Sequence, residues 1–466
     1  MPLSPKLFIS IRVAATALLL LLSPRLSAKP NILLVITDDQ GYGDASCYWP
    51  QTDLQTPIMD RIASEGVRFD RFRVNPLCAP TRASIMTGVY SIYNGMWRGP
   101  SAPKNDSDGK VIKPDTRVVG DDFVFLPTLL QQAGYRTGLF GKWHLGYDED
   151  NTPDARGFDQ YLGFLSGAHP YRMTPNSKIL RDGEPIQSEK HLTDLFADEA
   201  IQFIEKNKDQ PFFCYLAFNA VHGPLRNAQR SSDSGRQDWL DRYKEAGVDQ
   251  PRRDYCAVMS HADDRVGDVL DALDSLGIAK DTFVIYLSDN GGIIDKYPSD
   301  NGPLRSGKGY AFEGGIRVPA VMKWPGHIEG GFVSAANAVH FDLFATLLDA
   351  AGIATPSTNG DYAVEAVSLL PHLKSKGDQP YPERYLFWDL WGKQAAAKGD
   401  WKIVGELSNH HGDFAKATKE ASGFQYALYN LEHDIGETND LSKSHPEIYN
   451  DLKQRLVAWL RQANSP

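Results

Sequence analysis

Short apolar runs rich in β-branched and aromatic residues recur along the chain, and they constrain its fold more than any other feature. The runs are NILLVIT (31–37), YRTGLFG (135–141), PFFCYLAF (211–218), TFVIYLS (282–288) and IRVPAVMKW (316–324). Strands that are apolar on both faces belong to a sheet that is covered on both sides. Helix candidates lie between the runs, at 57–66, 125–134, 194–207 and 264–277. This alternation predicts an α/β fold in which helices sandwich one large mixed β-sheet.

The chain changes character after 356–382, a stretch dense in polar and turn residues. Beyond it, RYLFWDLW (384–391), QAAAKGDWKIV (394–404) and QYALYNLEHD (425–434) are typical of an antiparallel meander. An amphipathic helix follows from about His445 to Gln462. We therefore predict a large catalytic domain over 29–375. A smaller C-terminal subdomain over 376–466 would combine the antiparallel sheet with that helix.

Residues 1–28 have the pattern of a secretory signal peptide. Lys6 and Arg12 precede an apolar run from Val13 to Leu22, and the small residues Ser27 and Ala28 follow. The apolar run is too short for the ~20 residues that a membrane-spanning helix needs. We therefore expect an exported protein, periplasmic or secreted, with no stable membrane span. A retained membrane anchor is the alternative reading of the same segment.

The charge of the chain limits its partners. Loss of the leader removes three basic residues and no acid, so the formal charge changes from −10 to −13. Such an acidic protein is a poor general binder of nucleic acid. An anionic substrate would need a local group of cations or a metal ion. The cysteines Cys47, Cys78, Cys214 and Cys256 are too few for a disulfide scaffold.

Oxygen-bearing side chains follow two of the predicted strands. Asp38 and Asp39 come directly after the first run, and Asp289 and Asn290 come directly after the fourth. The carboxyl ends of parallel strands meet at the edge where α/β sheets bind their ligands. Carboxylate and amide oxygens suit a hard cation such as Ca²⁺ or Mg²⁺ better than zinc. The Asp38–Asp39 pair by itself would also fit a helix cap or a solvated turn.

Cationic side chains occupy comparable positions. Lys142 and His144 follow the strand of GLFGKWHLG, and in an extended segment they point to the same side. His222 follows the third run, and Lys308 precedes Glu313 in GKGYAFEGGIRVP. A lone lysine or histidine is usually a surface or structural feature. Their recurrence at strand ends indicates an anion site.

The stretch NPLCAPTRASIMTG (75–88) places a cysteine between two prolines, with an arginine four residues later. Its C-x-P-x-R pattern and Thr-Gly ending resemble the signature of the formylglycine-dependent sulfatase family, within the alkaline-phosphatase-like superfamily. GYRTGLFGKWH (134–144) resembles the second signature of that family, and KGYAFEGGIRVP (308–319) resembles a third recurrent segment. LYNLEHDIGETNDL (428–441) resembles the family's Leu-Tyr-Asp-Leu segment near the C-terminus. The resemblance runs in order from about residue 29 to the end.

The resemblance implies that Cys78 is oxidised to Cα-formylglycine by a dedicated maturation enzyme. A plain thiol would leave a stable S-sulfonated enzyme. The hydrated aldehyde instead attacks with one hydroxyl and expels sulfate with the other. Pro80 is suited to a first helical turn, so residue 78 would lie at the positive end of a helix. Arg82, one turn on, would bind the hydrate and the carboxylates around it.

The remaining roles also follow from the resemblance. Asp38, Asp39, Asp289 and Asn290, with the modified Cys78, would bind Ca²⁺ in preference to Mg²⁺. Lys142 and Lys308 would hold the sulfate oxygens, together with His222. His222 is the candidate general acid for the leaving alcohol, and His144 would contact the nucleophile or assist its regeneration.

These roles define a hydrolase that cleaves sulfate monoesters of a carbohydrate or an aryl alcohol, so its partner would be a sulfated small molecule or polysaccharide. The rim around the sulfate pocket would draw on residues suited to a sulfated sugar: Trp97, Arg98, His169, Arg172 and Arg305. Two alternatives remain. One is a phosphonate or phosphate ester hydrolase of the same superfamily, and the other is a non-catalytic binder of sulfated glycans.

Overall fold

The computed structural model describes residues 29–101, 104–105, 111–112, 117–225 and 236–463 of the chain. The predicted signal peptide lies outside these residues. The strands are β1 (Asn31–Thr37), β2 (Val67–Phe69), β3 (Lys104–Asn105), β4 (Val111–Ile112), β5 (Arg136–Lys142), β6 (Gln160–Phe164), β7 (Ile179–Arg181), β8 (Glu184–Ile186), β9 (Phe212–Ala217), β10 (Thr282–Ser288), β11 (Ala320–Lys323), β12 (Phe332–Ser334), β13 (Thr358–Asn359), β14 (Tyr362–Ala363), β15 (Leu386–Leu390), β16 (Lys393–Lys398), β17 (Trp401–Glu406) and β18 (Ala427–Asn430). The α-helices are Pro57–Glu65, Cys78–Thr87, Leu126–Gln132, Leu192–Asn207, Gln237–Glu245, Arg252–Ser275, Glu313–Ile316, Asp342–Ala350, Leu370–Lys374, Phe414–Gly423 and Pro446–Gln462.

A large mixed sheet forms the centre of the molecule. Among the described residues it has ten strands, in the order β12-β2-β11-β10-β1-β9-β5-β6-β7-β8. Its central strands are parallel: β1 pairs with β10 and β9, and β5 pairs with β9 and β6. The strands β11 and β7 run antiparallel to their inner neighbours. The predicted α/β fold with a large mixed sheet is confirmed.

Helices cover both faces of this sheet because its central strands are apolar on both sides. Every residue of β1 is buried. Ile32 and Leu34 pack in one apolar core with the helices Cys78–Thr87 and Asp342–Ala350. Leu33 and Val35 pack in a second core with the helices Leu192–Asn207 and Arg252–Ser275. The alternation of side chains along a strand therefore divides the interior into two layers.

The C-terminal sheet is separate from the large one. Its strands β15, β16, β17 and β18 are antiparallel neighbours in chain order, and the helix Pro446–Gln462 packs on it. The predicted second strand, 394–404, is in fact the hairpin of β16 and β17, and the helix Phe414–Gly423 precedes β18. The core of this sheet also contains Tyr90 and Ile92, which follow the helix Cys78–Thr87.

Two element boundaries differ from the sequence predictions. The strand predicted over 316–324 shortens to β11, because Ile316 ends a short helix whose Glu313 carbonyl accepts from the N–H of Arg317. The helix predicted from residue 264 begins at Arg252. Its first half alternates buried apolar residues with buried polar ones, which obscures the helical periodicity in the sequence.

The cysteines and the helices bear on two further predictions. All four cysteines lie within the described residues as free thiols, and Cys214 is fully buried in β9, where it packs as a small apolar core residue. Within the described ranges, every helix is too short or too polar to cross a membrane.

Candidate active site

The parallel register of the central strands brings the predicted carboxylates together. Thr37 at the end of β1 pairs with Ser288 at the end of β10. Asp38 and Asp289 are therefore the next residues of neighbouring strands, and the N–H of Asp289 donates to the Thr37 carbonyl at 3.0 Å. Potential ligand atoms of Asp38, Asp289 and Cys78 all lie within 4.8 Å of one another.

Cys78 is the first residue of a helix that is buried along its whole length. Leu77 before it has an extended backbone, and Gly88, at φ 74°, ends the helix in the left-handed conformation. The hydroxyl of Thr81 accepts from the N–H of Asn75 at 3.0 Å, which ties the first turn to the preceding loop. Burial raises the pKa of the Cys78 thiol, and the nearby Lys142 and Lys308 only partly offset this.

Buried ion pairs surround Cys78. Lys142 Nζ lies 2.6 Å from Asp38 Oδ2, and Arg82 Nη2 lies 2.8 Å from Asp289 Oδ2, with each of these side chains fully buried. Lys308 pairs with Asp39 Oδ1. The three carboxylates and three cations balance, so a divalent cation would give the site a net charge of about +2. That charge would attract a sulfate ester into a protein that is acidic overall.

The pKa values of Asp289 and Asp39 shift in opposite directions from their usual values. Burial raises the pKa of Asp289, and the neighbouring charge of Asp38 adds to this effect. Burial acts the same way on Asp39, but Lys308 and His222 outweigh it and lower the pKa of Asp39. Asp39 is therefore a carboxylate at neutral pH.

The residues that the sequence assigned to a cation fit one. Within the described part of the chain, Asp38 Oδ1, Asp39 Oδ2 and Asn290 Oδ1 are buried oxygens without a hydrogen-bond partner. A buried oxygen without a partner is costly unless a cation or water satisfies it. The amide of Asn290 donates to Asp39 Oδ1 at 2.8 Å, which turns its own oxygen away from that carboxylate. An all-oxygen set of this kind suits Ca²⁺ or Mg²⁺.

His144 faces Cys78 as a neutral acceptor. Its Nε2 lies 3.3 Å from the carbonyl oxygen of Pro100, so Nε2 carries the hydrogen. Nδ1 is left as an acceptor, 3.3 Å from Sγ of Cys78. Burial lowers the pKa of His144 well below its usual value, and Lys142 and Arg82 lower it further. The structure therefore places a weak base beside residue 78.

His222 lies at the opening of the site. Its Nδ1 is 2.6 Å from the carbonyl of Gly223, and its Nε2 is 3.7 Å from Asp39 Oδ2. The side chain is 21% exposed, whereas Lys142 and Asp38 are fully buried. His222 is therefore in contact with the solvent as well as with the group of charges around Asp39.

Backbone strain and close packing fix two of these side chains. Asp39 and His144 adopt left-handed φ angles of 69° and 62°, which non-glycine residues rarely occupy and which cluster at functional sites. Gly99 and Gly167 enclose the ring of His144: a Cβ at either position would lie 2.6–2.7 Å from Nε2. The imidazole is held by the two loops that carry the predicted rim residues Trp97, Arg98 and His169, although their contact with His144 was not predicted. In the sequence, Gly99 and Gly167 were the signal that a side chain packs closely against these loops.

Sequence reasoning also missed the residues that support the loop after β1. Asp44 Oδ2 accepts from Tyr255 and from the N–H groups of Gly41 and Asp300, while Arg252 Nη1 lies 2.6 Å from Asp44 Oδ1. Asp44 belongs to the same ITDDQGYGD stretch as Asp38 and Asp39. Its two side-chain partners, Tyr255 and Arg252, come from the helix Arg252–Ser275, more than 200 residues away, so no local pattern could reveal them.

The proposed rim residues are less uniform. Trp97 is 6% exposed and packs against Phe414, so it is not a free stacking surface. Arg172 is held by the Glu189 carbonyl at 3.2 Å, and Arg305 by the Glu437 carbonyl at 2.7 Å. His169 is buried against Phe164. The structure thus gives Trp97, Arg172, Arg305 and His169 contacts inside the protein.

Comparison with known proteins decides the family. The family model for Sulfatase matches residues 30–353, which include every site residue described above. The chain belongs to the sulfatase family. This sulfatase is 33% identical over 469 residues to the N-acetylgalactosamine-6-sulfatase of Mus musculus, covering 93% of this chain and 86% of that protein.

Solved structures agree with this assignment. The sulfatase superposes on the crystal structure of Ps i-CgsB in complex with k-i-k-neocarrahexaose with a TM-score of 0.78, at 28% identity and 93% coverage of both chains. It also shares its fold with the phosphonate monoester hydrolase SpPMH from Silicibacter pomeroyi, with a TM-score of 0.65 at 18% identity, covering 93% of this chain and 96% of that one. The fold is that of the alkaline-phosphatase-like superfamily, and the protein is a sulfuric ester hydrolase.

Proposed function

We propose that the sulfatase removes sulfate from sulfated carbohydrates, with Cys78 as its formylglycine precursor and Ca²⁺ as its cation. The observation that carries this proposal is the convergence of unpartnered oxygens and buried cations around residue 78. Asp38 Oδ1, Asp39 Oδ2 and Asn290 Oδ1 lack partners in the described part of the chain, while Lys142 and Lys308 pair with the second oxygens of Asp38 and Asp39.

Asp38, Asp39, Asp289 and Asn290 would hold the cation, with residue 78 as a further ligand. A divalent ion there would polarise a sulfate oxygen and lower the pKa of a neighbouring hydroxyl. Ca²⁺ is favoured over Mg²⁺ because the site offers protein oxygens from several loops. Mg²⁺ usually keeps several of its waters.

Conversion of Cys78 to formylglycine would supply a geminal diol, in which one hydroxyl attacks sulfur and the other allows sulfate to be released. The free thiol is a poor nucleophile here, because burial raises its pKa. Arg82 donates to Asp289 Oδ2 through Nε at 2.9 Å and to the Lys142 carbonyl through Nη1 at 3.1 Å. It would therefore hold one cation ligand and one sulfate ligand in register beside residue 78.

The two histidines divide the proton transfers between them. His144 Nδ1, an acceptor beside residue 78, would take a proton from the hydroxyl that releases sulfate. His222 would protonate the leaving alcohol at the mouth of the site, where it is partly exposed. Lys142 and Lys308 would bind the sulfate oxygens as charge moves onto the leaving group.

A sulfated carbohydrate is the favoured substrate class. Relatives that match most of this chain are named N-acetylgalactosamine-6-sulfatase, and a structural neighbour at 28% identity was crystallised with k-i-k-neocarrahexaose. Release of inorganic sulfate from N-acetylgalactosamine 6-sulfate, carrageenan oligosaccharides and nitrophenyl sulfate would rank the substrates. If the enzyme released sulfate from none of these three substrates, the proposal would be contradicted.

The phosphonate or phosphate ester hydrolase remains the second candidate, because the fold is shared with a phosphonate monoester hydrolase. Nitrophenyl phosphate tested beside nitrophenyl sulfate distinguishes the two activities. A binder without catalysis would keep an unmodified thiol at Cys78 in protein from the native host. Mass spectrometry of the peptide with residue 78 would instead show oxygen in place of sulfur, with loss of a pair of hydrogens.

The cellular setting and the domain division are proposals as well. Residues 1–28 would act as a cleaved leader that exports the enzyme to the periplasm or the medium. The catalytic domain would span 29–375 and the C-terminal subdomain 376–466. N-terminal sequencing of protein from the native host would test the cleavage, and intact leader on the mature protein would contradict it.

A further inference from the structure

The LYNLEHDIGETNDL stretch (428–441) has no role in the chemistry proposed above. We propose that Glu437 in this stretch is a positioning residue for Lys308: it holds both sides of the loop that carries this lysine, and so sets where the lysine meets the sulfate. The inference rests on the proposed role of Lys308 as a sulfate ligand.

The loop that presents Lys308 runs from Arg305 to Gly314. It is closed at its base by the N–H of Gly314, which donates to the Arg305 carbonyl at 2.9 Å. Within the loop, the N–H of Lys308 donates to the Gly292 carbonyl at 3.0 Å, and the N–H of Gly309 donates to the Pro76 carbonyl at 2.8 Å. Lys308 is therefore fixed relative to the strand end that carries Asn290 and to the helix that begins at Cys78.

Glu437 contacts both sides of the base of this loop. Its backbone carbonyl accepts from Arg305 Nη1 at 2.7 Å, on the incoming side. Its carboxylate oxygen Oε2 accepts from the N–H of Glu313 at 2.7 Å, on the outgoing side. One residue of the C-terminal segment thus joins the two ends of a loop more than 120 residues earlier in the chain.

A buried lysine holds the Glu437 carboxylate in place. Lys402 Nζ on β17 lies 2.9 Å from Glu437 Oε1 and 2.9 Å from Glu313 Oε1, and all three side chains are fully buried. Arg73 adds two contacts of about 3 Å to Glu313. The carboxylates of Glu313 and Glu437 are therefore tied through one ammonium group, which connects the C-terminal sheet to the loop that carries Lys308.

The backbone of Glu437 shows that its position is imposed. It has a φ angle of 53°, in the left-handed region that glycine and asparagine tolerate better. Such strain persists only where surrounding contacts over-determine the conformation. The adjacent residue is Gly436, yet it is the glutamate that takes the strained angle, with its carboxylate directed at Glu313 and Lys402.

The test is a double-mutant cycle between E437Q and K308A, measured on the full-length matured enzyme. E437Q keeps the shape of the side chain but removes the charge that faces Lys402. We expect it to lower kcat/KM by about 10- to 100-fold, as small misplacements of a catalytic group do. Inhibition by inorganic sulfate should weaken in parallel. E432Q is the matched control, because Glu432 is exposed in the same segment, and its activity should equal that of the wild type.

The decisive measurement is the effect of E437Q on kcat/KM in the K308A background. If Glu437 acts through Lys308, E437Q will cause little further loss of kcat/KM or of sulfate inhibition in the K308A enzyme. Wild-type activity in E437Q, or the same fold-loss in both backgrounds, would overturn the inference. Wild-type activity in K308A would instead overturn the proposed role of Lys308 itself. If E437Q does not fold, R305M takes its place in the cycle under the same criteria, because Arg305 lies at the surface.

Discussion

The loop that carries Lys308 contributes to two buried groups of charge, one through Glu313 and one through Lys308, and they differ in how the oxygens of their side chains are paired. In the cluster around Glu313, both carboxylate oxygens are occupied by Arg73, and one of them also by Lys402. In the cluster around Cys78, oxygens of Asp38, Asp39 and Asn290 have no hydrogen-bond partner in the described part of the chain. Among the described residues, Glu437 Oε1 in the first cluster also lacks a hydrogen bond, but Lys402 Nζ lies 2.9 Å from it. The contrast is therefore between a cluster whose central carboxylate is fully paired and a site where three oxygens lack hydrogen bonds to any described residue, which marks a place for a ligand.

The pKa values of the carboxylates do not separate the two clusters. Burial alone would raise the pKa of Glu313, but Arg73 and Lys402 outweigh burial and hold it well below its usual range. In the site, burial together with Asp38 raises the pKa of Asp289, although Arg82 lies beside it. In the same two clusters, burial raises the pKa of Glu437, whereas Lys308 and His222 lower that of Asp39, so each cluster holds one carboxylate of each kind.

The largest effect should come from Cys78, at the centre of the site cluster. C78A removes the proposed nucleophile, so kcat/KM should fall by about 10⁴-fold or more while the melting temperature changes little. Sulfate release measured beside thermal unfolding checks both parts. C214A is the control, since Cys214 is a buried thiol in β9 and its loss should leave activity unchanged. Substantial sulfate release by C78A would contradict the proposed nucleophile.

Breaking the cluster around Glu313 should lower the stability of the protein. E313Q removes the charge shared by Arg73 and Lys402 and leaves buried cations uncompensated, so the free energy of unfolding should fall by about 3–5 kcal/mol. Urea denaturation measures this loss. E329Q is the matched control, because Glu329 is 71% exposed in its pair with Lys376. A loss below about 1 kcal/mol would show that the cluster contributes no more than a surface pair.

A cation bound in the cluster around Cys78 should stabilise the folded protein. Calcium at 100 times its dissociation constant should stabilise the wild type by about 2.7 kcal/mol, since it binds only the folded state. D39N removes one charged ligand and should lose most of this gain, whereas E432Q should keep it. Thermal unfolding with and without calcium measures the difference. An equal calcium effect in D39N and the wild type would exclude Asp39 as a ligand.

The smallest effect should come from His340, a buried histidine beside the cluster around Glu313. His340 is 1% exposed, its Nε2 lies 3.0 Å from Asn75 Nδ2, and burial lowers its pKa to about 3. Its neutral form is favoured in the folded state, so its contribution is complete above about pH 6.5 and declines as the pH falls toward 3. The loss should be about 1.4 kcal/mol per pH unit below 6.5.

The variant H340Q isolates that contribution. Its unfolding free energy should depend less steeply on pH than that of the wild type between about pH 6.5 and 5, where the two curves are compared by urea denaturation. Parallel curves would mean that His340 titrates alike in the folded and unfolded states.

Much of the fold followed from local pattern. The runs at 31–37 and 282–288 coincide with β1 and β10, because apolar, β-branched residues between turn signals are a local property. Asp38, Asp39, Asp289 and Asn290 were expected at one sheet edge for the same reason, and the structure places them there. The helix Arg252–Ser275 was predicted too short, since buried polar residues interrupt its apolar stripe.

The sequence by itself determined the strands, the side chains at their ends and the cysteine at the start of a buried helix, because these depend on residues a few positions apart. The tertiary structure alone decided which oxygens stay unpaired, which loops enclose His144 and how Glu437 reaches Arg305 and Glu313. Ion pairs and packing between distant segments depend on where the whole chain places them. No spacing within a short stretch of sequence records that placement.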